Sequence, residues 1–208
     1  TSNKSNIIIA GFFTKSKNNY FNSKVFFSDK VDYYHKRKLV PFGEYTPWYD
    51  TFIKLSNSLD IPLSNLSHGP DSQKDIFFND TKLLPLICFE SIFPNLLKSN
   101  IENEIIINIS NDGWFGNSLA PYQHLQITQV RALEFNRYIL RAANTGLSAV
   151  INNHGEVIEY IPINKHGKLS GFVPINLDRS FYSRYGDISV LMLLFLTLLS
   201  KGLIRQSK

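Results

Sequence analysis

Cys88 is the only cysteine of the chain. It closes an apolar run, Leu83-Leu84-Pro85-Leu86-Ile87, and is followed at once by Phe89 and Glu90. A thiol at a strand end is suited to nucleophilic attack when a base takes its proton and a cation steadies the developing oxyanion. A second cluster offers such groups. Tyr34-His35-Lys36-Arg37-Lys38 runs into Leu39-Val40-Pro41-Phe42-Gly43-Glu44-Tyr45, which sets cations and a carboxylate around a Pro-Phe-Gly turn. Lys36 is the candidate cation, and Glu44 follows the turn close to it. Each residue also has a plainer reading: a small buried hydrophobe for Cys88, surface ion pairs for Glu44 and Glu90, and core packing for Trp114.

Composition narrows the classes. A chain of 208 residues with 43% hydrophobic and 19% charged residues is long and apolar enough for one globular domain. One cysteine excludes an internal disulfide framework and a cysteine-cluster metal site. The five histidines, His35, His68, His124, His154 and His166, lack paired metal-ligand spacing and read as surface or hydrogen-bonded residues, so no metal is expected. The net charge of +5 is scattered. Lys36-Arg37-Lys38 is too short a run to argue for nucleic acid, although a mildly basic surface suits anionic lipid headgroups.

The elements that position these residues are strand-rich. Asn6–Phe13 predicts a buried strand, Tyr20–Ser28 a second, and Val31–Lys36 a third leading into the turn. Pro47–Leu59 predicts a short helix and residues 60–80 an irregular loop. Lys82–Cys88 is the thiol-bearing strand, followed by a helix over Ser91–Lys98 capped by Ser91. Glu104–Ile109 precedes Ser110-Asn111-Asp112-Gly113-Trp114-Phe115-Gly116. Pro121–Arg137 is the clearest helix, with Leu125, Thr128, Val130 and Leu133 near one side; Arg131, Glu134 and Arg137 form an ion-pair row on it. Strands follow at Tyr138–Ala142, Leu147–Ile151 and Glu156–Ile161, the last two joined by the hairpin signal Asn152-Asn153-His154-Gly155. Gly171–Leu177 is the last predicted strand.

The C-terminus differs in kind. From Ile188 to Ile204, twelve of seventeen residues are large and apolar. A helix of that length is roughly 26 Å, close to the ~30 Å of a hydrocarbon core. The pattern predicts a transmembrane segment and tail over 187–208, with 1–186 as the catalytic domain. Lys201, Arg205 and Lys208 follow the span and Arg179 and Arg184 precede it, a slight bias toward a cytoplasmic C-terminus.

Four ordered motifs resemble the nitrilase (carbon–nitrogen hydrolase) superfamily, and within it the bacterial membrane branch of apolipoprotein N-acyltransferases. They are Tyr34-His35-Lys36 with Leu39 to Pro47; Ile87-Cys88-Phe89-Glu90; Asn108 to Gly116; and Gln123-His124 through Arg131-Ala132-Leu133-Glu134 to Arg141-Ala142-Ala143-Asn144-Thr145-Gly146. The resemblance implies an α/β fold, an α-β-β-α sandwich, and a Glu–Lys–Cys triad in which Cys88 is the nucleophile and Lys36 the lysine. Glu44 matches a second supporting glutamate. Phe89 stands where this branch often has tyrosine, and the resemblance implies its backbone N–H as an oxyanion donor. The triad's own glutamate precedes the lysine in the family, yet residues 1–35 hold only Asp29 and Asp32 as acids. The expectation is therefore a domain truncated at its N-terminus, inactive alone.

The implied reaction moves a fatty acyl chain from a phospholipid donor, through a Cys88 thioester, to the N-terminal amine of a diacylglyceryl apolipoprotein. Glu90, Phe89, Trp114 and Phe115 are the expected substrate-binding residues, with Leu119 nearby in an apolar wall that excludes water. No cofactor is implied. A monomer at the bacterial inner membrane, with its catalytic domain on the periplasmic side, completes the expectation. Two alternatives stay open: a soluble nitrilase-type amidase, for which the apolar tail has no use, and a lipid- or lipoprotein-binding relative lacking the base.

Overall fold

The computed structural model describes residues 6–48, 65–99, 102–116, 118–175 and 178–206. Two sheets face one another. The first contains β1 (Ile8–Ser16), β2 (Asn19–Phe27) and β3 (Val31–His35), all antiparallel in that order. β1 is an edge with one neighbour, so Phe12 and Phe13 are exposed rather than buried as the apolar run suggested.

The second sheet has the order β4 (Ile76–Phe78), β5 (Thr81–Ile87), β6 (Ile105–Ser110), β7 (Tyr138–Ala143), β8 (Ser148–Ile151) and β9 (Val157–Ile161). Only β5, β6 and β7 run parallel. Parallel neighbours need crossovers. One passes through a 3-10 turn at Cys88–Ile92 and α1 (Pro94–Lys98); the other passes through a 3-10 turn at Asp112–Phe115 and α2 (Ala120–Phe135). As a central strand, β5 is buried on both faces from Leu83 to Ile87 and reads as an unbroken apolar run over those residues. Pro85 is tolerated there because β4 pairs only as far as Leu83, so on that side no ladder donor is required.

Between the sheets lies a core of Phe26, Tyr34, Ile76, Leu83, Ile87 and Ile107. On the outer face of the larger sheet, Leu84, Leu86, Ile106 and Ile139 pack against Leu125, Ala132 and Phe135 of α2. The described residues thus form three layers, β-β-α, of the expected α-β-β-α sandwich. No helix covers the outer face of the smaller sheet among them.

Other expectations need correction. The Ser91–Lys98 helix is divided because Pro94 holds Phe93 in an extended conformation (φ −97°, ψ 95°); Ser91 lies inside the preceding 3-10 turn instead of capping α1. The buried face of α2 runs through His124, Thr128 and Ala132, while Val130 and Leu133 face solvent. Polar residues on the buried line misled the apolar pattern. Residues 171–175 have no strand. Within the predicted 60–80 loop, Ile76–Phe78 pairs with β5 through a turn at Asn79 (φ 52°). The helix expected over Pro47–Leu59 lies outside the described residues beyond Trp48.

The predicted transmembrane segment Ile188–Ile204 falls within α4 (Ile188–Gln206), which follows the short α3 (Phe181–Tyr185). Among the described residues, no helix is long and apolar enough to cross a membrane. The run interrupted only by Thr197, Val190–Leu199, ends in Ser200-Lys201-Gly202, and at 1.5 Å per residue it reaches about 15 Å, half of a ~30 Å core. Leu191, Leu193, Phe195 and Leu198 of α4 are nevertheless all exposed.

Candidate active site

Cys88 sits where β5 stops. Its φ of 50° places a side-chain-bearing residue in the left-handed region, which costs on the order of 1–2 kcal/mol and persists only where the surroundings over-determine it. The chain reverses there from strand into 3-10 turn, lifting the thiol out of the β5 ladder. Cys88 is a free thiol, part-buried against the inter-sheet core.

Glu90 accounts for much of that constraint. Its side chain is 0% exposed and accepts from the backbone N–H of Ile87 (2.8 Å), Arg37 (2.7 Å) and Lys38 (3.2 Å) and from the Tyr34 hydroxyl (3.0 Å). Burial pushes its carboxyl upward, against these donors. Glu90, expected among the substrate-binding residues, is thus wholly buried among protein donors. It ties the 34–38 segment to the thiol turn.

That tie anchors the segment that carries Lys36. Lys36 is 1% exposed and donates to Glu44 Oε2 at 2.6 Å. Glu44 also accepts from Val40 N (2.8 Å) and, through Oε1, from Asn22 Nδ2 (2.6 Å). Its carboxylate, far from being a surface ion pair, is held from three directions. The left-handed Phe42 (φ 60°) of the Pro-Phe-Gly turn swings Glu44 back toward Lys36. Gly69 passes so close to this segment that an added Cβ would lie 2.3 Å from His35 O.

Behind the thiol turn is a buried polar network that spacing alone had not grouped. Asp112 pairs with Arg141 at 2.7 Å, accepts from the Ser110 hydroxyl at 2.5 Å and lies 3.2 Å from His124 Nδ1. Arg141 also donates to Asn108 Oδ1 and Leu147 O. Burial pushes Asp112 up, but His124, Arg141 and Ser110 outweigh it and hold the carboxyl below its ordinary value. Gly146 makes the space, since a Cβ there would fall 2.0 Å from Asp112 Oδ2. Ligand-type atoms of Cys88, Asp112 and His124 lie within 4.8 Å of one another. The Arg141 guanidinium, 2.7 Å from Asp112 and 3.2 Å from His124 Nδ1, already provides the cation in that group.

The expected wall residues are accessible. Trp114 is 75% and Phe115 36% exposed, so Trp114 is not a core residue; Phe115 meets the His124 ring edge-on at 6.2 Å between centroids. Leu119 and Tyr122 are exposed beside them in sequence. Phe89 is half-buried and packs edge-on against Phe93 at 5.2 Å. A polar cavity of about 410 Å³ opens beside Tyr34, Arg37 and Lys82, and neither Cys88 nor Lys36 lines it.

Sequence reasoning missed Asn22, Asp112, His124 and Arg141 as parts of this region. Asp112, His124 and Arg141 stood within quoted motifs, but β6, α2 and β7 bring them together only in three dimensions.

Facing sheets, parallel central strands and a thiol on the turn after β5 define the architecture of a nitrilase-type α/β protein. Solved structures share it: a carbon-nitrogen hydrolase from Helicobacter pylori G27 (TM-score 0.57, 18% identity, 75% of this chain and 57% of that one) and the glutamine-dependent NAD+ synthetase of Acinetobacter baumannii (TM-score 0.58, 16% identity, 77% and 30%). At these identities the likeness concerns the fold alone. The chain belongs to the carbon-nitrogen hydrolase family, whose profile matches residues 1–170. Similar relatives are an apolipoprotein N-acyltransferase of Nitrosomonas europaea, 37% identical over 192 residues (91% of this chain, 39% of the relative), and one of Pseudomonas aeruginosa LESB58, 37% identical over 150 residues (72% and 29%). The chain spans about a third of the length of these curated relatives.

Proposed function

We propose that Cys88 carries an acyl group in an N-acyltransferase that moves a fatty acyl chain from phospholipid to the N-terminal amine of a diacylglyceryl apolipoprotein. The observation that supports this reading is the Glu90 clamp, which ties the Cys88 turn to the 34–38 segment, whose Lys36 pairs with Glu44.

In the first half-reaction the Cys88 sulfur attacks the ester carbonyl, forming a C–S bond. The ester C–O bond then breaks, and the lysophospholipid leaves with the proton the thiol gave up. In the second, the lipoprotein's α-amine attacks the thioester; a C–N bond forms, the C–S bond breaks and an amine proton returns to sulfur. Lys36 and the Phe89 backbone N–H stabilise the tetrahedral oxyanions, each such donor being typically worth about 3–4 kcal/mol. Glu44, with its oxygens already engaged, orients Lys36 and is not the proton acceptor. The resemblance implies a carboxylate before the lysine as the acceptor; residues 1–35 hold Asp29 and Asp32 and no glutamate.

Trp114, Phe115 and Leu119 form an apolar, lipid-facing wall. In this reading the exposed apolar face of α4 rests against a bilayer, and the protein works as a monomer on the periplasmic side of the bacterial inner membrane. An amidase has no use for such a helix.

The test is covalent capture. Protein expressed from its full reading frame is mixed with phosphatidylethanolamine–phosphatidylglycerol vesicles and weighed intact. The expected result is the mass of one acyl chain, labile to hydroxylamine and absent from Cys88→Ser. Wild-type protein that never acquires this mass rules the reading out.

A further inference from the structure

The thiol turn is held from two sides, and only one of them involves the residues discussed as chemistry. On one side Glu90 fixes Ile87 N. On the other, the Cys88 carbonyl accepts from the Ser91 hydroxyl at 3.2 Å and lies 3.1 Å from His124 Nε2. A carbonyl can only accept, so Nε2 carries a proton in this contact. Nδ1 then faces Arg141 and Asp112, each at 3.2 Å: neutral His124 accepts there from the guanidinium, and protonated His124 donates there to the carboxylate. In both states Nε2–H points to the Cys88 carbonyl and to the Ser91 hydroxyl oxygen, 3.2 Å away, whose own proton goes to that carbonyl. The second support is thus a chain of buried contacts, Asn108–Arg141–Asp112–His124–Cys88, which runs from β6 and β7 through α2 to the nucleophile.

We propose that His124, braced by Asp112 and Arg141, is a positioning residue that sets the left-handed Cys88 turn and thereby aims the sulfur at the acyl carbonyl. A left-handed cysteine without its carbonyl donor has a lower-energy conformation within reach by rotation about φ. That rotation moves Sγ. A displacement near 1 Å at a reacting atom lowers a rate by about 100-fold. The ester carbonyl and the lipid wall are engaged by other residues, of which Phe115 meets the His124 ring edge-on. This inference rests on the acyl-transfer reading only for its kinetic consequence; the control of the thiol itself is independent of that reading.

Two substitutions of similar polarity separate the roles. His124→Gln puts an amide N–H near the Nε2 position and keeps the donor to Cys88 O; His124→Asn reaches only the Nδ1 position and loses it. Both are made in the full-length protein, and three quantities are measured: single-turnover acylation from the same vesicles, KM for the lipid, and the rate of Cys88 alkylation by iodoacetamide. Expected are acylation about 100-fold slower in His124→Asn, within about tenfold of wild type in His124→Gln, unchanged KM in both, and a changed alkylation rate in His124→Asn alone. Equal acylation and alkylation by the two variants overturns the proposal, since a generic packing role predicts equality. Should wild type fail to acylate while alkylation still separates Asn from Gln, the positioning role stands and the acyl-transfer reading falls. If His124→Asn does not fold, Asp112→Asn replaces it; acylation and alkylation at wild-type rates in that variant likewise overturn the proposal.

Discussion

Lys36 is buried, with its ammonium 2.6 Å from Glu44, so its removal has two separable effects. Lys36→Ala deletes an oxyanion donor and should slow single-turnover acylation by roughly 100- to 1000-fold. It also strands a half-buried carboxylate, at a cost of about 3–5 kcal/mol if that charge cannot reach water. Thermal unfolding measured beside the kinetics distinguishes them: Lys36→Ala with Glu44→Gln should recover stability but not rate. A normal acylation rate in Lys36→Ala, measured on folded protein, would remove the residue from the chemistry. Lys24 is a different kind of lysine. It is fully buried and donates to Leu86 O (3.0 Å) and Ile107 O (2.6 Å), two donors' worth of work that a neutral amine can do. Burial pushes it down from 10.5 to about 7, with Glu90 opposing, a difference on the order of 5 kcal/mol. Between those values the unfolded chain binds more protons than the native one, so this group makes stability rise with pH from about 7 toward 10.5 and penalises the fold below 7. Lys24→Met should therefore stabilise the protein by roughly 1–4 kcal/mol near pH 6, with the gain shrinking toward pH 10 in a series of melting curves.

At the level of elements, two loops depend on close approach. The 34–38 segment reaches the end of β5 only through Glu90, whose carboxylate gathers donors from Tyr34, Arg37, Lys38 and Ile87. Glu90→Gln keeps the volume but offers one acceptor oxygen and two new donors that face donors already present. Hydrogen exchange should show faster opening at Arg37 and Lys38, with destabilisation of about 1–3 kcal/mol. Unchanged protection there would mean that the clamp is not what holds the loop. The Asn144-Thr145-Gly146 turn closes over Asp112, and Gly146→Ala drives a methyl into its carboxylate. Overpacking of this kind costs typically about 1–3 kcal/mol, and here it should also slow acylation by shifting the network beneath Cys88. Because Asp112 is held below its ordinary value, its contribution is present above the unfolded carboxyl range and is lost as pH falls through the folded one.

On the scale of the whole molecule, the unusual feature is the amount of exposed apolar surface among the described residues. α4 exposes Leu191, Leu193, Phe195 and Leu198 on all sides, and Trp114, Leu119, Phe42 and Trp48 add exposed rings and chains elsewhere. Patches of this extent mark an interface or a membrane. Each buried Leu or Phe gains about 1.5–3 kcal/mol over exposure, so a pair of charges in α4 should matter. Leu193→Asp with Leu196→Asp should release the protein from sedimenting phospholipid vesicles while leaving its melting temperature unchanged. Vesicle binding that survives both would place the lipid contact on another surface.

Several features were legible from residues alone. The only thiol ends a buried apolar strand, a lysine and a glutamate flank a Pro-Phe-Gly turn, and the strand periods located β2, β3 and β5 to β9 closely. Local physics governs all of these: alternation, turn chemistry and the length of apolar runs. Other features needed the fold. Glu90 sits two residues from Cys88 and resembles a site residue in the sequence, yet three of its partners, Tyr34, Arg37 and Lys38, lie 52 to 56 positions away, so only tertiary structure could make it a clamp. His124 read as one histidine among five until β6, α2 and β7 converged on Asp112 and Arg141. Apolar content suggested a membrane crossing at the C-terminus, for which no described helix is long and apolar enough, and a buried first strand, which its place at the sheet edge leaves exposed because burial belongs to what packs against a segment.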